Sequence, residues 1–295
     1  MKKLGIVILN YLNFNDTIEC VESLDNQKNK NFEIVIVDNY SQNSSYENLE
    51  ERYNQVKNIH LMKTTKNLGY AKGNNVGIQF CKEQLGIQNV LVVNNDVVFT
   101  DKNYVDFLLS YDIGEKIGAV GTIITGSDGL NQNPNYTPTT KKRLIKDVIY
   151  FSLEKWGVLK YYTNLKVKTK KNPDTEKNTK IELDKELPNN RKYFLHGSAM
   201  FLTENYLSQV DGFYPETFLY YEENILAILM DKLQLKMVYT DKANIFHKED
   251  QSSAMSFGNN DKVFKQYLIE SIKIATKVKF SSLSKIKKIM NNKGV

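Results

Sequence analysis

The chain has 295 residues, 41% of them hydrophobic and 25% charged, which is enough for one large α/β domain with insertions or two small ones. Its apolar runs are only strand-length, far below the ~20 residues of a membrane-spanning helix. Met1-Lys2-Lys3 leads straight into a strand, which argues against a cleavable signal peptide. The net charge of +6 is unevenly spread. Residues 141–192 carry 15 basic and 7 acidic side chains (net +8), and residues 261–295 carry 9 and 2 (net +7), so the remainder is −9. A basic insert and tail on an acidic body is either a solvated face or a surface for phosphate-bearing partners. Cys20 and Cys81 form no spacing pattern and read as buried free thiols of a reducing, cytoplasmic setting.

In chain order, residues 4–9 form an apolar strand, and 16–24 take helical spacing through Ile18, Val21 and Leu24. A second strand, 32–37, closes on Asp38-Asn39-Tyr40-Ser41. Residues 46–53 read as helix, 58–62 as a short strand and 70–85 as helix. The strand 90–93 stops at Asn94-Asn95-Asp96. This β-α-β-α-β-α-β order predicts a Rossmann-like α/β fold, with a mostly parallel sheet and helices on both faces. Ligands in such folds bind beyond the carboxyl ends of the strands. The polar clusters stand there: Asn10 and Tyr11, Asp38 and Asn39, Asn94 to Asp96.

A dinucleotide-binding turn would need G-x-G-x-x-G after the first strand, so that backbone can approach a pyrophosphate. The turn here reads Asn10-Tyr11-Leu12-Asn13-Phe14-Asn15 and holds no glycine. Further on, Asn67-Leu68-Gly69-Tyr70-Ala71-Lys72-Gly73-Asn74-Asn75 opens a helix with small residues and amides, where a ligand can reach backbone. Asp96, flanked by amides at the end of a buried strand, suits a hard divalent cation such as Mg²⁺ or Mn²⁺. These ions take one or two carboxylates plus substrate phosphate oxygens. The plainer reading of Asp96 is a turn or helix cap.

Taken in order, Ile8-Leu9-Asn10-Tyr11, Val37-Asp38-Asn39-Tyr40-Ser41, the Asn67–Asn75 stretch and Asn94-Asn95-Asp96 resemble the inverting family 2 glycosyltransferases. His196-Gly197-Ser198-Ala199-Met200-Phe201, Gly212-Phe213 to Tyr220-Tyr221-Glu222-Glu223, and Val238-Tyr239 with Phe246-His247 continue the resemblance. It covers roughly residues 4–250, with 141–192 matching poorly, and leans toward the rhamnosyltransferase-like branch of bacterial polysaccharide synthesis. The resemblance implies a GT-A fold and a nucleotide diphosphate sugar donor, with UDP and dTDP sugars both open. Asp38 would contact the base, Asn10 or Tyr11 would line the same pocket, Asn67 and Gly69 would approach the base and ribose or diphosphate, and Asn39 and Asn74 would also belong to the nucleotide-sugar site. Asn95 and Asp96 match the end of the family's D-x-D-type motif. Asp96 would hold the divalent cation, with His247 as second ligand or phosphate contact; a lone histidine on a strand is also often structural.

Transfer also needs a carboxylate to take the acceptor hydroxyl's proton during attack. The family has Glu-Asp where this chain has Glu222-Glu223, so Glu223 is the expected base and Glu222 the fallback. Acidic residues also gather in the first turn of ordinary helices. The acceptor implied is a glycan or lipid-linked hydroxyl in cell-surface polysaccharide synthesis, reached with inversion. A non-catalytic sugar-nucleotide binder is the alternative, and no nucleic-acid-reading motif is present.

The expected division is a catalytic domain over residues 1–258 and a basic helical tail over 259–295. Within the first, 1–125 would bind nucleotide, 126–192 would be a variable basic insert and 193–258 the acceptor half. Trp156, Tyr161 and Tyr162 mark the insert as an acceptor-side element, and residues 169–179 read as a disordered tip. In the tail, apolar residues from Val263 to Val278 recur at mixed helical spacing among lysines. Two readings stay open: an interfacial helix on an anionic membrane at the inner face of the plasma membrane, or a helix packed on the catalytic domain.

Overall fold

The structure, a computed structural model, describes residues 3–136, 141–155, 193–249 and 261–292. Expectations placed on Trp156, Tyr161, Tyr162 and residues 169–179 lie outside these. The chain begins with β1 (Leu4–Asn10), α1 (Phe14–Leu24), β2 (Phe32–Asp38), α2 (Ser45–Tyr53), β3 (Ile59–Lys63), α3 (Gly69–Glu83) and β4 (Val90–Asn94). These match the expected order, with ends shifted by a residue or two. Then come β5 (Val97–Val98), α4 (Tyr104–Ser110), β6 (Ile117–Thr125), α5 (Lys141–Lys155), β7 (Ala199–Leu202), α6 (Glu204–Leu207), α7 (Glu222–Leu233), β8 (Lys236–His247), α8 (Asp261–Phe280) and α9 (Leu283–Met290).

The strands form one sheet in the order β3-β2-β1-β4-β7-β6-β8-β5. The β3-β2-β1-β4 half is parallel, β7 runs antiparallel between β4 and β6, β8 runs parallel to β6, and β5 is an antiparallel edge. The period-2 pleat of the central strands splits their side chains between two cores. Val7, Val35, Val37 and Val92 face α3, α7 and the tail helices, whereas Ile6, Ile8, Ile34, Ile36 and Val93 face α1, α2 and α4. Both cysteines are buried free thiols, and burial pushes Cys81 up to about 12.

Two local features position the site. At the start of α3, Gly69 has φ +76, and a Cβ there would fall 2.2 Å from the Phe218 carbonyl oxygen. Only glycine fits both the left-handed backbone and this approach. The Tyr70 amide then donates to Phe218 O at 2.8 Å, tying α3 to the loop that enters α7. At the carboxyl end of β4, the Asn94 amide donates to Ser198 O at 2.9 Å and holds the Gly197-Ser198 turn against the strand end.

The tail is a helix over its apolar stretch, and its stripe packs on protein. Ile272, Ala275 and Val278 are fully buried, and Ala275 and Val278 join the core lined by α7, as do Ile286 and Met290 of α9. α8 lies against α5 and α7. Each fully buried aliphatic side chain of Val or Ile size contributes about 1.5–3 kcal/mol of transfer free energy. Lys232 Nζ donates to Ser281 O at 2.7 Å, and Lys277 pairs with Glu216 at 2.8 Å. The stripe that would enter an acyl boundary is therefore occupied by the domain itself.

Candidate active site

Asn10 and Asp38 end adjacent parallel strands and face each other in register. Both are fully buried, and Asn10 Nδ2 donates to Asp38 Oδ2 at 2.7 Å. The other carboxylate oxygen accepts the Ser41 amide at 2.9 Å, and Ser41 Oγ accepts the Leu12 amide at 2.8 Å. Thr17 carries the network onward, donating to Asn10 Oδ1 at 2.7 Å and accepting from Asn95 Nδ2 at 3.2 Å. Asn95 Nδ2 also reaches Asn13 O at 3.0 Å. Asp38 thus meets one amide side chain and one backbone N–H, and each of its oxygens keeps acceptor capacity. Tyr11 and Tyr40, which follow the two strand ends, are the more exposed members of this region.

Asn39 belongs to the frame. Its amide donates to Asn67 Oδ1 at 3.0 Å and Gly69 O at 3.2 Å and accepts from Leu68 N at 2.9 Å, while Asn67 Oδ1 also takes Gly69 N at 2.9 Å. Asn74 is fully buried, with Nδ2 on Tyr70 O at 3.0 Å and Oδ1 unpartnered among the described residues. Sequence reasoning passed over Thr17 and Ser41. Thr17 had a signal: it lies on the apolar face of α1, one and two turns before Val21 and Leu24, where a lone hydroxyl needs a buried partner.

Asp96 occupies the turn between β4 and β5, and the β5–β8 pairing sets Val97 opposite His247. That edge strand is what delivers the histidine. Asp96 is 3% exposed, and its Oδ1 stands 3.3 Å from His247 Nε2 without the alignment of a hydrogen bond. His247 Nδ1 lies 2.9 Å from Gln132 Oε1. With the amide oxygen as acceptor, Nδ1 carries the proton and the Nε2 lone pair faces the carboxylate. A ring nitrogen and a carboxylate oxygen converging without a proton between them fit a cation, and a histidine whose other nitrogen donates to a carbonyl is the usual form of a metal ligand. Among the described residues no group of three His, Cys, Asp or Glu side chains converges on one point. Substrate oxygens and water would fill the other positions. His196, with ring centroid 5.6 Å from that of His247, is pushed down to about 4, chiefly by burial, so it stays neutral.

The acidic pair opens α7. Tyr220 and Tyr221 immediately before it have φ of 72 and 70, a left-handed conformation that costs about 1–3 kcal/mol per non-glycine residue. Helix α7 begins at Glu222, so Glu222 and Glu223 both lie in its first turn. Glu222 is 5% exposed, and its Oε1 has no hydrogen-bond partner among the described residues. Burial, then the charge of Glu223, holds its carboxyl well above the ordinary range. Glu223 is half-buried and is also raised by desolvation. A Cβ on Gly197 would fall 2.2 Å from Glu223 Oε1, so this glycine makes the room in which the carboxylate sits. The Tyr70 hydroxyl donates to Gly197 O at 2.7 Å. Burial raises Tyr70 most, followed by the charges of Glu223, Glu222 and Asp96. The neutral phenol therefore stands within the field of both acidic groups, and the strand-end carboxylate and the helix-start carboxylates share one neighbourhood.

The profile of glycosyl transferase family 2 matches residues 5–181. The low-salt glycan biosynthesis hexosyltransferase Agl10 of Haloferax volcanii is 25% identical over 220 residues, 75% of this chain. The chain spans 59% of that relative's length. Among solved structures, the mannosyltransferase PcManGT of Pyrobaculum calidifontis, in complex with GDP-Man and Mn²⁺, superposes with a TM-score of 0.57 at 11% identity. That match covers 98% of this chain and 68% of that one. TarS 1–349 of S. aureus, in complex with UDP-GlcNAc, gives 0.53 at 16% identity over 90% of this chain and 65% of that one. GalNAc-T7 with UDP, GalNAc and Mn²⁺ gives 0.55 at 11% identity, over 84% and 44%. The fold is that of these GT-A enzymes, and the chain belongs to glycosyl transferase family 2.

Proposed function

We propose that this glycosyltransferase moves a sugar from a UDP or dTDP donor to a hydroxyl of a glycan or lipid-linked acceptor, with inversion, in cell-surface polysaccharide synthesis. The observation that carries the proposal is the Gly197-Ser198 turn, which packs against the Glu223 carboxylate, accepts the Tyr70 hydroxyl and is held to the end of the strand that leads into Asp96. Asn10, Tyr11, Asp38, Asn67, Gly69 and Asn74 form the donor side, and Asn39 and Asn95 hold it in shape. Asp96 and His247 would hold a divalent cation, Mg²⁺ or Mn²⁺; bound there, it supplies positive charge to the leaving diphosphate. Two structural neighbours were solved with Mn²⁺, which supports this assignment.

Glu223 is the base. It takes the proton of the acceptor hydroxyl as that oxygen attacks the anomeric carbon. Burial and the charge of Glu223 raise the Glu222 carboxyl, which favours a proton on Glu222 and the charge on Glu223. A single displacement assisted by one base inverts the anomeric centre. No helix among the described residues is long and apolar enough to cross a membrane. With the tail's apolar stripe packed away, contact of a cytoplasmic enzyme with an anionic membrane would fall to exposed lysines such as Lys285 and Lys288.

The test is release of nucleoside diphosphate from a panel of UDP, dTDP and GDP sugars with Mn²⁺ or Mg²⁺. Metal-dependent release that EDTA stops is expected. A chain that cleaves none of them, or works equally well in EDTA, would overturn the reading. The non-catalytic alternative predicts donor binding without release.

A further inference from the structure

A cleft of about 460 Å³ lies between the loop and first turn of α3 (Lys66, Asn67, Lys72) and the loop before α7 (Glu216, Thr217, Phe218). Its charge is unbalanced. Glu216 is neutralised by Lys277 at 2.8 Å, whereas neither Lys66 nor Lys72 has an ion-pair or hydrogen-bond acceptor for its ammonium among the described residues. Thr217 is 2% exposed, and its buried hydroxyl faces the Glu222 carboxyl rather than solvent. The cleft therefore adjoins the acidic pair. The opposite wall is fixed, because Phe218 stacks on Tyr267 with centroids 4.7 Å apart. The backbone donors nearby are spent: Leu68 N and Gly69 N bond Asn39 and Asn67, and Tyr70 N bonds Phe218 O. An anion in the cleft would therefore be held by the two lysines.

We propose that this cleft is a phosphate subsite for the acceptor, which carries an anionic phosphate group close to the hydroxyl that receives the sugar. The proposal rests on the glycosyltransferase reading, which places Glu222 and Glu223 at the acceptor hydroxyl. Two uncompensated ammonium groups on a concave wall concentrate anions, and lysine binds phosphate as a movable point charge. The phosphate is the acceptor's because the cleft reaches the Glu222 carboxyl through Thr217, whereas Asp96 and His247, assigned to the donor diphosphate, do not line it and only Asn67 is shared with the donor side. An acceptor lying across the cleft would bring its hydroxyl to the glutamates through Thr217.

The probes are inorganic phosphate without metal, and UDP with Mn²⁺, titrated calorimetrically into the full chain and a Lys66→Gln/Lys72→Gln variant. Both lysines are on the surface side of the fold, so the variant keeps the wild-type melting curve. Phosphate should bind the wild type with salt-sensitive affinity and the variant at least tenfold more weakly. UDP binding and donor hydrolysis should stay within twofold. Phosphate binding of equal strength in both proteins, or none by the wild type, overturns the subsite. A matching tenfold loss of UDP assigns the lysines to the donor and overturns the acceptor proposal. Failure of the transferase reading looks different: no UDP binding and no donor cleavage by the wild type, whatever phosphate does.

Discussion

At the ends of β1 and β2, Asp38, Asn10, Thr17 and Asn95 pass hydrogen bonds of 2.7–3.2 Å from one to the next, in a part of the molecule closed to solvent. Around the Gly197 turn, Asp96 Oδ1 meets only the His247 ring at 3.3 Å and Glu222 Oε1 is buried without a hydrogen bond among the described residues, behind two consecutive left-handed tyrosines. The first region is a frame complete without substrate. The second leaves polar groups without a hydrogen bond, each costing about 1–3 kcal/mol, and holds backbone strain. Such groups gain partners only when something binds. The difference locates the chemistry more sharply than the cleft's shape does.

The largest effect that would break this comparison is loss of the base. Glu223→Gln keeps the size and removes the proton acceptor, so the chemical step should slow roughly 10²–10⁴-fold with donor affinity little changed. Single-turnover measurements separate the two. A comparable rate in the variant would remove Glu223 from proton transfer. Asp96→Asn comes next, with transfer falling roughly 10²–10³-fold, the scale on which one electrostatic stabiliser of a transition state acts. Because Asp96 Oδ1 makes no hydrogen bond and meets only His247 at 3.3 Å, the melting temperature should change little. A large drop in stability would make Asp96 part of the frame instead.

The frame and the site were unequally legible in the sequence. Buried parallel strands write themselves as apolar runs with polar ends, so β1, β2 and β4 could be read with Asn10, Asp38 and Asp96 at their tips. The partners of those residues could not. The Thr17 bridge needs α1 and the β4–β5 turn to meet, and the reach of His247 to Asp96 depends on a two-residue edge strand too short to show a period. Tyr70 and Gly197 become site residues only through a contact between positions 127 apart in sequence. For the tail, spacing predicts a helix with an apolar stripe, but a stripe has the same pattern whether lipid or protein covers it. The covering residues of α7 settle that in three dimensions.

A substitution in the frame sharpens the contrast from the other side. Thr17→Val is nearly isosteric and strips both partners of a buried bridge, leaving Asn10 Oδ1 and Asn95 Nδ2 short of one bond each. It should cost about 1–3 kcal/mol and lower the melting temperature by several degrees, with catalysis per folded molecule reduced far less than in Glu223→Gln. A Thr17→Val protein that melts with the wild type would show that the network is ornamental to stability.

The smallest effect concerns Glu222 and depends on pH. Its carboxyl titrates ordinarily at 4.5 and is pushed up to about 8 in the folded chain, first by burial and then by the charge of Glu223. A group raised on folding contributes stability that is full below its unfolded value and is lost as pH rises through its folded value. The wild type should therefore lose stability relative to Glu222→Gln between pH 4.5 and about 8. The glutamine imitates the protonated acid at every pH, so the two proteins should be closest at the acid end. At the alkaline end the variant should be ahead by about 1–3 kcal/mol, the usual scale for an unpaired buried polar group. Urea denaturation of both proteins at each end of that range measures the gap. A gap that does not change with pH would mean that Glu222 is already ionised throughout. It would then compete with Glu223 for the acceptor's proton, and in that case Glu222→Gln would be the inactive variant and Glu223→Gln the active one.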